Sequence, residues 1–388
     1  MIAAVLRETY PGEKRVALIP QNVEALTKAG LEVAVESGAG RAALHQDAEF
    51  EARGARVEAD RRSLLGAAGV VLTVQGAAEH KHFPTADLDA LKPGAALIGL
   101  FDPLDAPAEM KALAERGLTI LAMELMPRTT RAQSMDVLSS MATIAGYKAV
   151  LLAAEASPKM FPMMMTAAGT IAPAKVFILG VGVAGLQAIA SARRLGAVAE
   201  AYDIRPAVKE QVESVGARFI EFDLETATAE TAGGYAAAQS EEFYRRQQEL
   251  LAAHLKTVDV IITTAAVPGK RAPQLISEQM VDGLRPGTVI VDLAAERGGN
   301  CAVTQPGKQI DHHGVIVLGP VNLASTTPFH ASQMYSRNIS SFLLYLLKDG
   351  QLNLDPADEI VQGTLVAHGG KLVHPAVLEA LERKAPAS

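Results

Sequence analysis

A chain of 388 residues with 49% hydrophobic and 20% charged side chains is too long for one ordinary core and reads as two globular domains. Its net charge of −7, from 36 Lys and Arg against 43 Asp and Glu with no basic block, argues against nucleic acid as a partner. The single cysteine, Cys301, excludes an intramolecular disulfide, suits a reducing compartment and reads as a small buried apolar residue.

Met1 leads directly into an apolar run without a basic leader, so secretion is not expected. No stretch reaches the roughly 18 uncharged apolar residues of a membrane helix, and the chain is expected to be soluble. From residue 1 to about 125, short apolar runs alternate with helical segments, the pattern of a parallel sheet covered on both faces. Strands are expected at 2–6, 31–35, 70–74, 96–100 and 119–123, and helices at 22–29, 47–52 and 108–116. None of these turns carries a glycine fingerprint. Arg15 follows the first strand and Gln75 ends the third. Such positions either face a ligand crevice or are plain surface and turn residues.

The segment 126–140, MPRTTRAQSMDVLSS, gathers Arg128, Arg131, Gln133 and Asp136 ahead of an apolar helix. It reads either as one hydrogen-bonded constellation around a polar ring or carboxamide, or as capping, with Ser134 at the N-cap and Asp136 in the first turn. Residues 135–155 predict a long, largely buried helix connecting the domains. Met160 and Met163 to Met165 follow as a cluster suited to core filling or domain contact.

The next stretch organises the chain. Val176, Phe177, Ile178 and Leu179 predict a fully buried parallel strand, followed by Gly180, Gly182 and Gly185 in G-x-G-x-x-G spacing. The first glycine permits a sharp turn, the second lets backbone approach a pyrophosphate, and the third lets the next helix pack on the sheet. That helix, expected at 186–195, would hold the phosphate on its N-terminus. A second strand at 198–202 ends in Asp203, where a carboxylate meets adenine ribose hydroxyls and favours NAD(H). Arg205 is able to accept a 2′-phosphate and leaves NADP(H) open.

Beyond it come a helix at 207–215, a polar alanine-rich stretch at 226–240 centred on Gly233, Gly234 and Tyr235, and a helix at 241–256. The polar stretch is either a hinged lid or a tolerated surface insertion. Strands are expected at 258–263, with Thr264 at its carboxyl end, at 288–293 and at 315–318. A helix at 328–348 carries the chain back, and the tail from 350 packs on the first domain. His312 and His313 are adjacent and read as turn residues without a metal role, and no H-E-x-x-H, C-x-x-C or G-x-S-x-G occurs.

Together MPRTTRAQSMDVLSS, MTAAGTIAPAKVFILGVGVAGLQAIASARRLGAVAEAYDIRP, GGYA, TTAAVPGKRAPQL, VDLAAERGGN and PFHASQMYSRN resemble the NAD(H)-binding component of proton-translocating NAD(P) transhydrogenase over nearly the whole chain. The resemblance implies an α/β fold of two parallel-sheet domains joined by long helices. A flavodoxin-like domain takes 1–140 and 325–388, and a Rossmann NAD(H) domain inserted in it takes 141–324. It implies a homodimer on membrane-anchored subunits that carry NADP(H) and the proton channel, hence a cytoplasmic chain peripheral on the inner face of the cell membrane. Arg128, Gln133, Asp136, Ser139 and Tyr235 are implied at the reacting end, and Leu138, Val183, Ile204 and Gly234 join Gly180, Gly182, Gly185, Asp203, Arg205 and Thr264 as nucleotide contacts. On the same basis Asp203 prevails over Arg205 and the cofactor is NAD(H).

The alternative is an alanine dehydrogenase, which needs a cation for the substrate carboxylate and an acid/base group for its carbonyl. Arg15 is able to supply the first. The relative's substrate lysine falls at Gln75 and its histidine near Leu100, both neutral here.

Overall fold

The computed structural model describes residues 1–75, 84–224, 240–267 and 269–384. The chain forms two compact units, Met1–Met141 with Ala324–Ser388, and Ala142–Leu323. In chain order the first unit contributes β1 (Ile2–Val5), β2 (Glu32–Glu36), β3 (Arg56–Glu58), β4 (Val70–Gln75), β5 (Ala96–Leu100) and β6 (Thr119–Ala122). The second contributes β7 (Met164–Thr166), β8 (Gly169–Ile171), β9 (Lys175–Leu179), β10 (Val198–Tyr202), β11 (Arg218–Phe219), β12 (Val260–Thr263), β13 (Val289–Asp292), β14 (Gln309–His312) and β15 (Val315–Leu318). Back in the first unit lie β16 (Leu347–Lys348), β17 (Gln351–Leu352), β18 (Leu365–His368) and β19 (Lys371–Leu372).

The large sheet of the first unit has the order β19-β18-β6-β5-β4-β1-β2-β3, parallel from β3 to β6 and antiparallel at the edge pair. Its parallel portion is the 3-2-1-4-5-6 order of a doubly wound sheet, which reverses between β1 and β4. The flavodoxin-like order expected for this domain is 2-1-3-4-5, and the structure corrects it. Alternating strands and helices predict that strands run parallel, but not which strand lies beside which. The tail does more than pack on the sheet, since β18 joins it beside β6.

The sheet of the second unit, β11-β10-β9-β12-β13-β15-β14, repeats the same parallel order and reverses between β9 and β12. An antiparallel edge strand, β14, is added by a hairpin. Both sheets alternate their apolar side chains between two buried faces. In the first unit Val5, Leu72 and Ile98 enter one core and Ala4, Val71 and Leu97 the other. In the second, Val176, Ile178 and Ile262 face one core and Phe177, Leu179 and Ile261 the other. Burial on both faces is what selects apolar runs for these strands, each large side chain contributing about 1.5–3 kcal/mol.

Of the two long helices, Val137–Ala156 spans the boundary between the units, whereas Pro328–Leu346 lies wholly in the first. With 20 residues and a mean hydropathy of 1.5, Val137–Ala156 is long and apolar enough to cross a membrane, contrary to the expectation from uncharged runs alone. It carries Lys148 and Glu155 and buries Val137 in one core and Ala149, Val150 and Ala153 in another, but only 39% of its most apolar window is buried, less than the largely buried helix expected.

Candidate functional site

In the second unit the glycine fingerprint sits at the reversal point. β9 ends at Leu179, Gly180 turns with φ +98°, and the helix Val183–Arg194 starts directly after Gly182. That start is three residues earlier than the apolar pattern indicated. Each glycine has a distinct reason to lack a side chain. A Cβ on Gly185 would overlap the carbonyl oxygen of Gly180, so helix and strand touch only without one. A Cβ on Gly180 would press on Thr264 Oγ1 and the Ala265 amide, each 3.0 Å away. A Cβ on Gly182 meets nothing within 4 Å, which leaves the helix N-terminus open at that point. Its first backbone N–H groups have no partner inside the helix and point to an anion. The residues present therefore fit a dinucleotide pyrophosphate.

Asp203 and Arg205, set against each other in the sequence, form one unit in the fold. Asp203 Oδ2 accepts the Val181 amide at 2.7 Å and so pins the glycine turn. Its two oxygens also take Arg205 Nε and Nη2, both at 2.8 Å, while Nη2 reaches the Val181 carbonyl at 3.1 Å. A paired carboxylate and guanidinium present little net charge to a ribose. Val183 is 37% exposed in the first helical turn, and Ile204 is half-buried after β10.

Thr264 closes the site from the carboxyl end of β12, its hydroxyl donating to the Gly180 carbonyl at 2.8 Å. What holds this loop was not legible residue by residue. Asp292, fully buried, accepts five hydrogen bonds of 2.8–3.0 Å, from the hydroxyls of Thr263 and Thr304 and the amides of Ala294, Asn300 and Cys301. Asn300, also fully buried, accepts the Ala265 amide and donates to the Ala265 and Pro273 carbonyls. The only signal was the stretch VDLAAERGGN, where an acid and an amide bracket an otherwise apolar and glycine-rich turn. Cys301 is buried and burial pushes its thiol up to about 11, the environment of a structural cysteine kept as the thiol at neutral pH.

In the first unit the segment after β6 forms a short 3-10 turn, Thr130–Met135, followed by the helix Val137–Ala156. The helix cap is Asp136, not Ser134. Asp136 Oδ1 accepts the Ser139 amide at 2.9 Å and Oδ2 its hydroxyl at 2.5 Å. Ser134 instead offers its carbonyl to Asn338 Nδ2 at 2.8 Å, because the helix Pro328–Leu346 packs over the turn. Arg131 leaves the constellation. It stacks on Tyr345, donates to the Tyr345 hydroxyl, and pairs with Asp358 at 3.3 Å. Arg128 and Gln133 are exposed, and Asp136 and, in the first turn, Leu138 and Ser139 are half-buried. Tyr235 and Gly234 lie outside the described residues.

The reversal point of the first sheet is built differently. Where the second unit has Gly180 and Gly182 one and three residues after β9, this one has Leu6 and Glu8 after β1. Glu8 takes the amides of Val74 and Gln75 and the Thr73 hydroxyl, at 2.7, 3.1 and 3.0 Å. Burial pushes its carboxyl up to about 7 against those hydrogen bonds. Arg15, its side chain 3% exposed, is held by Glu13 through Nε at 2.8 Å and Nη2 at 2.6 Å. Gln75 Nε2 reaches the same Glu13 at 3.4 Å. A cavity of about 580 Å³ opens here, walled by Arg7, Glu8, Glu13, Lys14, Arg15 and Arg41 among others. At the end of β5, Glu124 accepts the Phe101 and Asp102 amides, both at 2.5 Å, and burial followed by repulsion from Asp102 raises it to about 8.

Residues 4–145 match the family model "Alanine dehydrogenase/PNT, N-terminal domain" and residues 149–375 the model "Alanine dehydrogenase/PNT, C-terminal domain". The chain is 47% identical to the first portion of the NAD(P) transhydrogenase alpha subunit of Rhodospirillum rubrum, over 380 residues that cover 97% of this chain and 99% of the relative. The solved transhydrogenase structure from Sinorhizobium meliloti superposes with a TM-score of 0.85 at 43% identity, over 96% of this chain and all of that one. A solved L-alanine dehydrogenase superposes almost as well, at 0.83, but at 25% identity, over 99% of both chains. Fold alone does not separate these two activities, whereas sequence does.

Proposed function

The chain belongs to the alanine dehydrogenase/PNT family, and on that premise we propose that it is the NAD(H)-binding alpha-type subunit of an NAD(P) transhydrogenase. The near-full-length likeness to the transhydrogenase alpha subunit, well above that to alanine dehydrogenase, carries this reading. Bound NADH supplies the hydride, which passes with Si-face specificity to NADP⁺ on a partner subunit, coupled to proton translocation in a membrane component.

The chain's own residues bind and orient. Gly180, Gly182 and the first turn from Val183 cradle the pyrophosphate, with Gly185 allowing the helix its position. The Asp203–Arg205 pair and Ile204 receive the adenosine ribose, and Thr264 borders the reacting half. For Arg128, the capping carboxylate Asp136, Leu138 and Ser139, contact with the nicotinamide and its carboxamide is assigned on the family resemblance alone. Gln133 is exposed, and its reach toward the second ring is likewise assigned on the resemblance. Tyr235 and Gly234 are assigned to closure over the nucleotide on the family resemblance alone. Hydride transfer needs two rings held at near-attack distance with water excluded, and no acid or base from the protein.

The alanine dehydrogenase reading is disfavoured by the neutral Gln75 and Leu100 at the positions of the relative's substrate lysine and histidine, while Arg15 stands paired with Glu13. The hairpin β7–β8 supports a homodimer. Met163, Met164, Met165 and Ile171 are all exposed on and beside it, an adaptable apolar surface suited to a second copy. Membrane association then comes through the NADP(H)-binding partner, at the inner face of the cell membrane.

The test is reconstitution. The purified chain should bind NADH, show negligible turnover of pyruvate with ammonia, and catalyse transhydrogenation only after addition of membranes holding the NADP(H)-binding partner. Substantial alanine oxidation would reverse the assignment. Gln133→Asn should slow hydride transfer more than it weakens NADH binding, and equal losses in both would remove Gln133 from its place between the rings.

A further inference from the structure

The second unit holds a side-chain cluster that nucleotide binding leaves unused. Asp282 ends the helix Glu278–Asp282, His312 ends β14, and His313 begins the turn into β15. One carboxylate oxygen and two imidazole nitrogens from these residues all lie within 4.8 Å of one another. Adjacent residues on a strand point to opposite faces, which ordinarily separates neighbouring histidines. Here His313 and Gly314 have φ of +54° and +85°, the positive pair of a type I′ turn. The left-handed backbone of His313 swings its ring beside that of His312, with centroids 4.6 Å apart and planes at 86°. Asp282, thirty residues earlier, meets His312 Nε2 at 2.8 Å.

We propose that Asp282, His312 and His313 form a surface binding site for a divalent transition-metal ion, with Zn²⁺ the ion of choice. Two imidazole nitrogens and one carboxylate oxygen match zinc, copper or nickel, and disfavour Mg²⁺ and Ca²⁺, which take oxygen ligands. Tetrahedral zinc with bonds of about 2.0–2.2 Å needs its ligand atoms roughly 3.3 Å apart. Ligand atoms already within 4.8 Å of one another must therefore draw in to reach that spacing, a movement of the size that a change of side-chain rotamer supplies. Asp282 and His313 are exposed and β14 is the sheet edge, so the ion enters from solvent, and water completes the fourth position. The turn feeds the amino end of β15, whereas the fingerprint follows the carboxyl end of β9. β15 and β9 run parallel through the sheet, so the metal lies at the end opposite the nucleotide. Its effect is to clip the edge hairpin to the helix end.

Zn²⁺ titration of the full chain against a chromophoric chelator should give one ion per chain. Loss of even an outer-shell partner weakens metal sites about 10–100-fold, and His312→Ala should cost at least that, with His312→Ala/His313→Ala removing the ion altogether. Zn²⁺ should raise the melting temperature of the unaltered chain but not of the double variant. An unchanged stoichiometry in the double variant, or no uptake by the unaltered chain, overturns the proposal. Cu²⁺ electron paramagnetic resonance on the unaltered chain supplies a readout independent of variant folding. Coupling to two imidazole nitrogens is expected, and oxygen-only coordination contradicts the site.

Discussion

The two reversal points share one strand order and are equipped for opposite tasks. After β9 the second unit places glycines, leaving an open helix N-terminus and backbone donors for a phosphate. After β1 the first unit places Glu8, a carboxyl that consumes the backbone donors of the neighbouring strand end, and beside it an arginine already paired with Glu13. Identical topology therefore yields one crevice whose helix N-terminus is left open to an anion and one whose strand-end amides and central arginine are taken by Glu8 and Glu13, with Arg7, Lys14 and Arg41 lining the cavity around them. Doubly wound topology indicates where a ligand belongs, and the first residues beyond the strand decide whether one enters.

The sharpest way to break this contrast is to dismantle the support of the second crevice. Asp292→Ala strands five donors, four of them at or near full burial, and should cost more than about 3 kcal/mol, at about 1–3 kcal/mol for each buried group left unsatisfied. Denaturant unfolding would show it, and a loss below about 1 kcal/mol would deny the strut its role. Gly185→Ala drives a methyl into the Gly180 carbonyl and should cost about 1–3 kcal/mol together with NADH affinity. Gly182→Ala separates the two effects, since a methyl there meets no protein atom. Stability should stay within about 1 kcal/mol, the cost of a poorer cap, while NADH affinity by fluorescence falls about tenfold. Loss of fold with Gly182→Ala would mean that the cradle is not open.

The first unit should show its buried acids in its pH dependence. Glu124 rises from 4.5 unfolded to about 8 folded. Its contribution to stability is complete below about 4.5 and is lost as pH rises through about 8. Glu124→Gln keeps the oxygen that accepts the Phe101 and Asp102 amides and cannot ionise. The variant should therefore lose less stability than the unaltered chain between these limits, and parallel curves would contradict the assigned shift. The smallest effect is reserved for Arg131→Ala. Its ion pair with Asp358 is 60% exposed on the arginine side, so a change of under about 1 kcal/mol is expected in thermal unfolding.

The fingerprint was readable because its chemistry is local, three glycines and an acid within one strand-helix-strand unit. Strand order was not, since pairing joins β1 to β4 across 65 residues or more of chain. Short edge strands escaped notice for a related reason. Arg56–Glu58 and Gln309–His312 are largely polar and take their conformation from a neighbour. The polar segment before Val137–Ala156 was legible as a concentration of functional groups but not in its division of labour. Asn338 and Asp358, more than two hundred residues downstream, take Ser134 and Arg131 away from the cap and the constellation.

Equilibrium dialysis with NADH puts the contrast between the crevices to its most direct test. One NADH per chain is predicted, retained when the Glu13–Arg15 pair is removed by Glu13→Gln/Arg15→Gln and weakened by Gly182→Ala. Two molecules per chain, or binding lost with the first pair and untouched by the glycine change, would place the nucleotide in the wrong unit and contradict the account.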